Sequence, residues 1–524
     1  MANDMRVKNT VFNFLSGMVG QLITIFMHFM VRTVFIQTLG KSYLGISGLF
    51  TNILSMLSLA EMGIGSAIVF KLYEPIAANN QQRIATLMKF YKTVYRFIGF
   101  AIAILGAFLI PFLPKLINDY DKLQALNLNV TLIFSLYLFD AISSYLFFAY
   151  KSALIRADQK EYHINIIEYF FLLAAGLGQI LCLLLFENFI TFVIITIAKT
   201  VLQNLLVAKF ADKKYPCLKN PVSDKIDRHE AKEIFRDCGS LFIYKINGVV
   251  IKSTDNIVLS AVLGLGYVAI YSNYYIFYSS ITSLFNKIFN SVAHSIGNLH
   301  TTRNLKKEYN VFESTILIAA VIGGTAFVGI SIVANEFIST WIGNEWLIAQ
   351  PFALLMGLEL YTSAFKYAFS KYRAAYGLFR QGWIRPLFSM IINLVVSIIL
   401  VKPLGIIGVL IGTLAADWLT FIWYDPLIVH RDGFKGEFSV CRYYFKFIKY
   451  LLTCFAVCAI DYLICMNFLA GYGWASVILH ALICGITTPL AVLLVSAGTE
   501  EGKYVISIIA KEIRAIGKLV KARR

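Results

Sequence analysis

Apolar stretches long enough to cross a membrane, about 20 residues each, follow one another along the whole chain and are separated by short polar blocks. Their spacing predicts fourteen spanning helices at approximately 11–37, 43–70, 93–114, 127–150, 162–186, 188–208, 239–263, 267–296, 310–334, 347–370, 382–401, 404–430, 447–468 and 473–497. The GLG near 264–266 and the KPLG at 402–405 read as tight turns. Helices joined that closely are neighbouring and antiparallel. The opening MANDMRVKNT leads into an apolar run too long for a signal-peptide core and without a small-residue cleavage site, which predicts a retained first helix. The fold class is therefore an all-α polytopic membrane protein.

Composition agrees with that pattern. Hydrophobic residues make up 58% of the chain and charged residues 15%, against roughly 25% charged in soluble domains. The net charge of +17 invites a nucleic-acid reading, but placement argues against it. With the N-terminus inside, the blocks 1–10, 71–96, 151–160, 209–236, 297–309, 371–385, 431–449 and 498–524 all fall on the cytoplasmic side and hold 37 of the 47 Lys and Arg residues. The opposite face holds only Lys41, Lys115, Lys122 and Lys402. This is the positive-inside bias, and one missed helix would invert it downstream. Both termini are expected in the cytoplasm. Eight cysteines show no disulfide framework, and Cys454 and Cys458 lie in an apolar helix without a His partner, so no metal site is expected.

The chain also repeats itself. LGKSYLGIS at 39–47 resembles LGLGYVAIY at 263–271, 224 residues later, and each begins the second helix of a set of six. Two parallel repeats follow from this. The expected organisation is an N-lobe at 1–210, a basic cytoplasmic linker at 211–237, a C-lobe at 238–432, two added helices at 433–500 and a cytoplasmic tail at 501–524.

Polar residues interrupt the apolar helices in a regular way. Asn13, Gly17, Gly20, Gln21, Thr24, His28 and Arg32 form one face of the first helix. Shifted by the repeat, Gln21, Thr24, His28 and Arg32 fall on Lys245, Gly248, Lys252 and Asn256 of the seventh. The eighth helix carries Ser279, Ser283, Asn286, Lys287, Asn290 and His294, and the second Asn52, Ser55, Ser58 and Glu61. These four helices are expected to surround a polar cavity. Small and polar stripes also join helices by packing, which serves the Gly and Thr positions equally well. Buried cations are costly unless they line a wet cavity or are paired, and Arg32, close to the outer end, has snorkelling as its alternative. The candidate cavity set is Gln21, His28, Arg32, Lys245, Lys252, Asn256, Lys287 and Asn290.

Acidic residues inside spans are Glu61, Asp140, Asp255, Glu359, Asp417 and Asp461. Each is a candidate carrier of coupling protons or sodium, with Glu61, Asp140, Asp255 and Asp417 foremost, or a partner for Arg32, Lys199, Lys252 or Lys287. The tail 505–524 sets Ile506, Ile509, Ile513, Ile516 and Val520 on one face and basic residues around the other, which suits a helix lying on anionic lipid. No nucleotide-binding loop, zinc-protease helix or nucleophile elbow occurs, and no catalytic residue or tightly bound cofactor is expected.

The run from Arg32 to Pro75, TVFIQTLGKSYLGISGLFTNILSMLSLAEMGIGSAIVFKLYEP after the arginine, resembles the opening of bacterial polysaccharide transporters, the oligosaccharide flippases of the multidrug/oligosaccharidyl-lipid/polysaccharide exporter superfamily. DNIVLSAVLGLGYVAIYS from Asp255 and PLGIIGVLIGT from Pro403 are similar to that family's second-lobe signatures. The resemblance implies two six-helix lobes forming a V around a central cavity in the bacterial cytoplasmic membrane. It implies alternating access that carries an undecaprenyl-pyrophosphate-linked oligosaccharide to the outer leaflet for surface polysaccharide synthesis, with polysaccharide assembly proteins as partners. Arg32 matches the family's arginine before the LG turn. His28 and Lys252 come from the stripe alone, and cations suit a pyrophosphate physically. The alternatives are a cation-coupled multidrug exporter, a lipid II flippase, and a membrane-embedded polymerase or acyltransferase.

Overall fold

The computed structural model describes residues 2–58, 64–117, 120, 129–219, 226–227, 248–300, 304–378, 381–468 and 473–507, with side chains for all of these except 2–15, 18, 64–67, 70, 219, 291–300 and 468. Every regular element among the described residues is helical. The chain divides into two compact units, Met1–Ala269 and Ile270–Arg524.

The first unit contains α1 (Ala2–Leu57), α2 (Ile64–Ala77), α3 (Gln81–Leu109), α4 (Val130–Leu146), α5 (Ser152–Ala157), α6 (Glu161–Phe186), α7 (Phe189–Lys214) and α8 (248–262). Asparagines start several helices. The side chains of Asn80, Asn129 and Asn188 accept hydrogen bonds from the amides of Arg83, Leu132 and Thr191 at 3.0, 2.9 and 2.9 Å, which satisfies amides that a helix start leaves bare. α1 holds two expected spans, joined at Gly40, whose φ of 79° puts a corner into an otherwise continuous helix. Only glycine takes that conformation without strain. Of the second expected span, 43–70, the described part is helical to Leu57 in α1 and again from Ile64 in α2. α4 and α5 form a pair bent by 44°, with Phe148 left-handed at φ 63° between them.

The second unit holds α9 (Leu265–His300, beginning in the first), α10 (Leu305–Ile342), α11 (Gln350–Ala375), α12 (Arg385–Leu404), α13 (Ile406–Ile428), α14 (Val440–Phe468) and α15 (Trp474–Ser496). α10 is its centre and packs along α11, α14 and α15. Lipid gives helices no hydrophobic reason to associate, so close approach through small residues takes over. A Cβ on Gly357 of α11 would lie 2.6 Å from the Phe327 carbonyl, and one on Gly323 of α10 would lie 2.8 Å from Ala364. The turn expected over 402–405 shrinks to one residue, since α12 continues through Pro403 and Gly405 (φ 59°) alone reverses the chain into α13.

Large apolar side chains point outward from these packed faces. Phe97 and Leu494 are each 74% exposed, and Phe100, Ile104, Leu184, Leu185 and Ile399 are similarly bare. Such a surface requires lipid. Among the described residues nine helices are long and apolar enough to cross a membrane, and the bent α4–α5 pair makes a tenth. α9 and α11 coincide with the expected spans 267–296 and 347–370 but fall outside that set, because Tyr, Ser, Asn and charged residues dilute them. The chain is a multi-pass membrane protein. The linker expected at 211–237 and the tail beyond residue 507 lie mostly outside the described residues.

Candidate functional site

The polar face of α1 divides into packing and charge. Gly20 is buried where a Cβ would overlap the Tyr169 ring, and Thr24 returns its hydroxyl to the Gly20 carbonyl at 2.8 Å. Both therefore serve the helix and its contact with α6. Met27, against Gly176 of α6, and Phe35, edge-on to Phe189 and Phe192 of α7, fasten the adjoining face. Gln21 and Arg32 are left half-buried and His28 exposed. Lys199 of α7 and Arg32 are the charges that act on His28. Asp140 of α4 has Thr200 and Lys199 of α7 as its neighbours, and its Oδ1 is buried without a hydrogen-bond partner. The sequence pattern listed Lys199 only as a pairing partner; the fold sets it beside the α1 cations, because α7 packs on α4 and α6.

On α8, Lys252 is half-buried and Asn256 is buried. The Asn256 amide donates to the Lys252 carbonyl at 3.1 Å, while its Oδ1 is buried without a donor. Asp255 is 2% exposed. In the second unit Lys287 is half-buried and Asn290 exposed, and Lys371 of α11 reaches Asn286 at 3.3 Å. Lys245 and Glu61 lie outside the described residues, as does the side chain of His294. Asp417 is not open: it is 1% exposed and ion-paired with Lys366 of α11.

The repeated LG turns are the other shared feature. Gly40 and Gly264 are both left-handed, at φ 79° and 98°. A Cβ on Gly45 would lie 2.3 Å from the Leu265 carbonyl, so the helix after the first turn packs directly on the second turn.

Residues 37–351, which span both turns, match the model of a family described as polysaccharide biosynthesis protein. The chain belongs to that family. Comparison with curated protein sequences gives no match. Among solved structures, the lipid II flippase MurJ in an inward closed conformation superposes with a TM-score of 0.68 at 17% identity, covering 92% of this chain and 98% of that one. A multidrug resistance MATE family transporter of the MOP superfamily follows in its inward-facing conformation, with a TM-score of 0.60 at 14% identity over 79% of this chain and 96% of that one. An outward-facing conformation of such a transporter gives 0.52 at 15% over 82% and 97%. These likenesses establish the fold. The glycines of the run from Pro403 are places where helices turn or touch. In PLGIIGVLIGT, Gly405 is the turn itself, Gly408 faces the Leu400 carbonyl and Gly412 faces Ser397. Among the described residues no cluster of His, Cys, Asp and Glu has metal-holding geometry.

Proposed function

We propose that this protein is a flippase that carries an undecaprenyl-pyrophosphate-linked oligosaccharide from the inner to the outer leaflet of the bacterial cytoplasmic membrane by alternating access. Both termini are then cytoplasmic, as the basic blocks require. The observation that carries this reading is the pairing of polysaccharide-biosynthesis membership with the flippase-like fold over nearly the whole chain. Arg32, His28 and Lys252 supply the chemistry, since cations set in apolar helices replace water around a concentrated anionic headgroup. Gln21 and Asn256, in the same unit, add polar contacts for sugar hydroxyls. Flipping makes no new bond, so no catalytic residue is needed.

Lipid II is the second cargo to consider, because the superposed flippase carries that name. Proteoliposomes holding the protein and a fluorescent lipid-linked sugar test both. Protection of the oligosaccharide from an external modifying enzyme should change with time, and lipid II in the same assay should not cross. Arg32→Ala and Lys252→Ala should each lower the rate at least tenfold at wild-type protein levels. Unchanged rates in both would remove the cationic contribution.

A further inference from the structure

The interior of the second unit contains an ionisable cluster that cargo binding does not use. Glu359 and Lys366 lie two turns apart on one face of α11, and Asp417 meets them from α13. Lys366 Nζ forms a short ion pair with Asp417 Oδ2 and lies 3.9 Å from Glu359 Oε1. The hydroxyls of Tyr278 of α9 and Ser363 each lie 3.3 Å from Glu359 Oε1 and 2.9 Å from each other, so that at least one of them donates to Oε1. The carboxyl side chains of Glu359 and Asp417 are 2% and 1% exposed, and that of Lys366 is 31%.

One oxygen of each acid is thus served, and the other is not. Glu359 Oε2 and Asp417 Oδ1 are buried without a hydrogen-bond partner, and Lys366 Nζ lies against both carboxyl groups. Ionised carboxylates only accept. Two of them against one ammonium also leave an unbalanced negative charge between membrane helices, where it is costly. A single proton addresses both problems, because it neutralises the cluster and turns one of the two acids from a pure acceptor into a donor. A metal cation would find Lys366 Nζ already in the place it needs.

We propose that Glu359 and Asp417 share one exchangeable proton, with Lys366 as a tethered counter-cation, and that this is where the transporter binds its coupling ion. The coupling role rests on the flippase reading; the proton site does not. The proton comes from water and returns to it, and no other bond changes. With it bound, the pair carries one negative charge and Lys366 balances it; with it gone, Lys366 faces two. Proton occupancy therefore biases how α11 packs on α13, inside the second unit. The ionisable groups facing the pair are Tyr278 of α9 and Lys366 of α11; beyond them Tyr275 of α9 acts on Tyr278 and Arg385 of α12 on Lys366.

The test is labelling of full-length protein in nanodiscs with dicyclohexylcarbodiimide, which attacks protonated carboxyls in apolar surroundings, followed by mass spectrometry. The Glu359 or Asp417 peptide should label in mild acid, and labelling should fall about tenfold per pH unit above the titration point, as one proton requires. Sodium should not protect. Glu359→Gln should abolish labelling of Asp417 and Asp417→Asn that of Glu359, since either change leaves a neutral pair with Lys366. Lys366→Met should allow both acids to label. Absence of wild-type labelling across about pH 5 to 9, protection by sodium, or undiminished labelling of the remaining acid in the single variants would overturn the proposal. If the variants do not fold, the wild-type pH and sodium series decides alone. No cargo is present, so failure of lipid-linked sugar transport leaves this result standing.

Discussion

Arg373 shows how far a single side chain can be committed. Its guanidinium donates to Asp425 at 2.5 Å, to the Leu378 carbonyl at 2.9 Å and to the Gln381 carbonyl, and Arg385 contacts the same Asp425 oxygen at 3.1 Å. Both Arg373 and Asp425 side chains are 5% exposed. Removing one partner of a buried pair costs about 3–5 kcal/mol. Arg373→Met should therefore lower the detergent melting temperature sharply. Arg373→Lys should not rescue it, because one ammonium lacks the planar fork that holds a carboxylate and two carbonyls together. The same reasoning separates Arg373 from Arg32 and Lys252: the former holds the fold, whereas substitutions at the latter should spare the melting temperature while transport falls.

Two elements have packing that invites measurement. In the α12–α13 hairpin, a Cβ on Gly408 would lie 2.2 Å from the Leu400 carbonyl, and backbone cannot move aside as a flexible side chain can. Gly408→Val should cost about 1–3 kcal/mol, the usual penalty for overpacking, seen as a lower denaturant midpoint. Gly17, with nothing near its Cβ position, should accept alanine without loss. At the other end of the second unit, the short helix at 500–507 is held by Glu501, whose Oε1 lies 2.5 Å from Lys446 Nζ, while Lys446 also reaches Glu313 at 2.8 Å. Burial pushes the Glu501 carboxyl up, but the Lys446 ammonium against it outweighs that and holds it below the ordinary value of 4.5. A depressed folded pKa means the contact is fully present above pH 4.5 and is lost as pH falls through the folded value. Hydrogen exchange of 500–507, corrected for its intrinsic rate, should rise below that pH in wild type and be already raised in Glu501→Gln at neutral pH.

For the whole molecule, the decisive fact is that one helical plan covers a lipid II flippase and multidrug transporters alike, so the fold leaves the cargo to be chosen by side chains. The tail beyond 507 lies outside the described residues, and its amphipathic pattern predicts a membrane-surface role. Deleting 505–524 should reduce transport modestly while membrane insertion persists, as measured by glycan display and by fractionation. Complete loss of insertion would show that the tail is part of the fold.

The membrane class and the all-helical fold were legible in the sequence because lipid imposes local rules. Every span must be long and apolar, and basic residues must stay on one side. Gly40 and Gly264 announced their turns because no other residue adopts those backbone angles freely. Arg32, His28 and Lys252 were visible because helical periodicity sets them on polar faces. Other features depend on contacts distant in sequence. Asp417 and Glu359 were recognisable as acids inside spans, but the bond from Asp417 to Lys366, 51 residues away, exists only because α11 packs on α13. Likewise Gly20 and Gln21 looked alike on the α1 stripe, and only the Tyr169 ring told packing from polar surface. Local rules write the helices into the sequence; which polar groups meet, and which are left with an unserved oxygen, is decided when the helices pack.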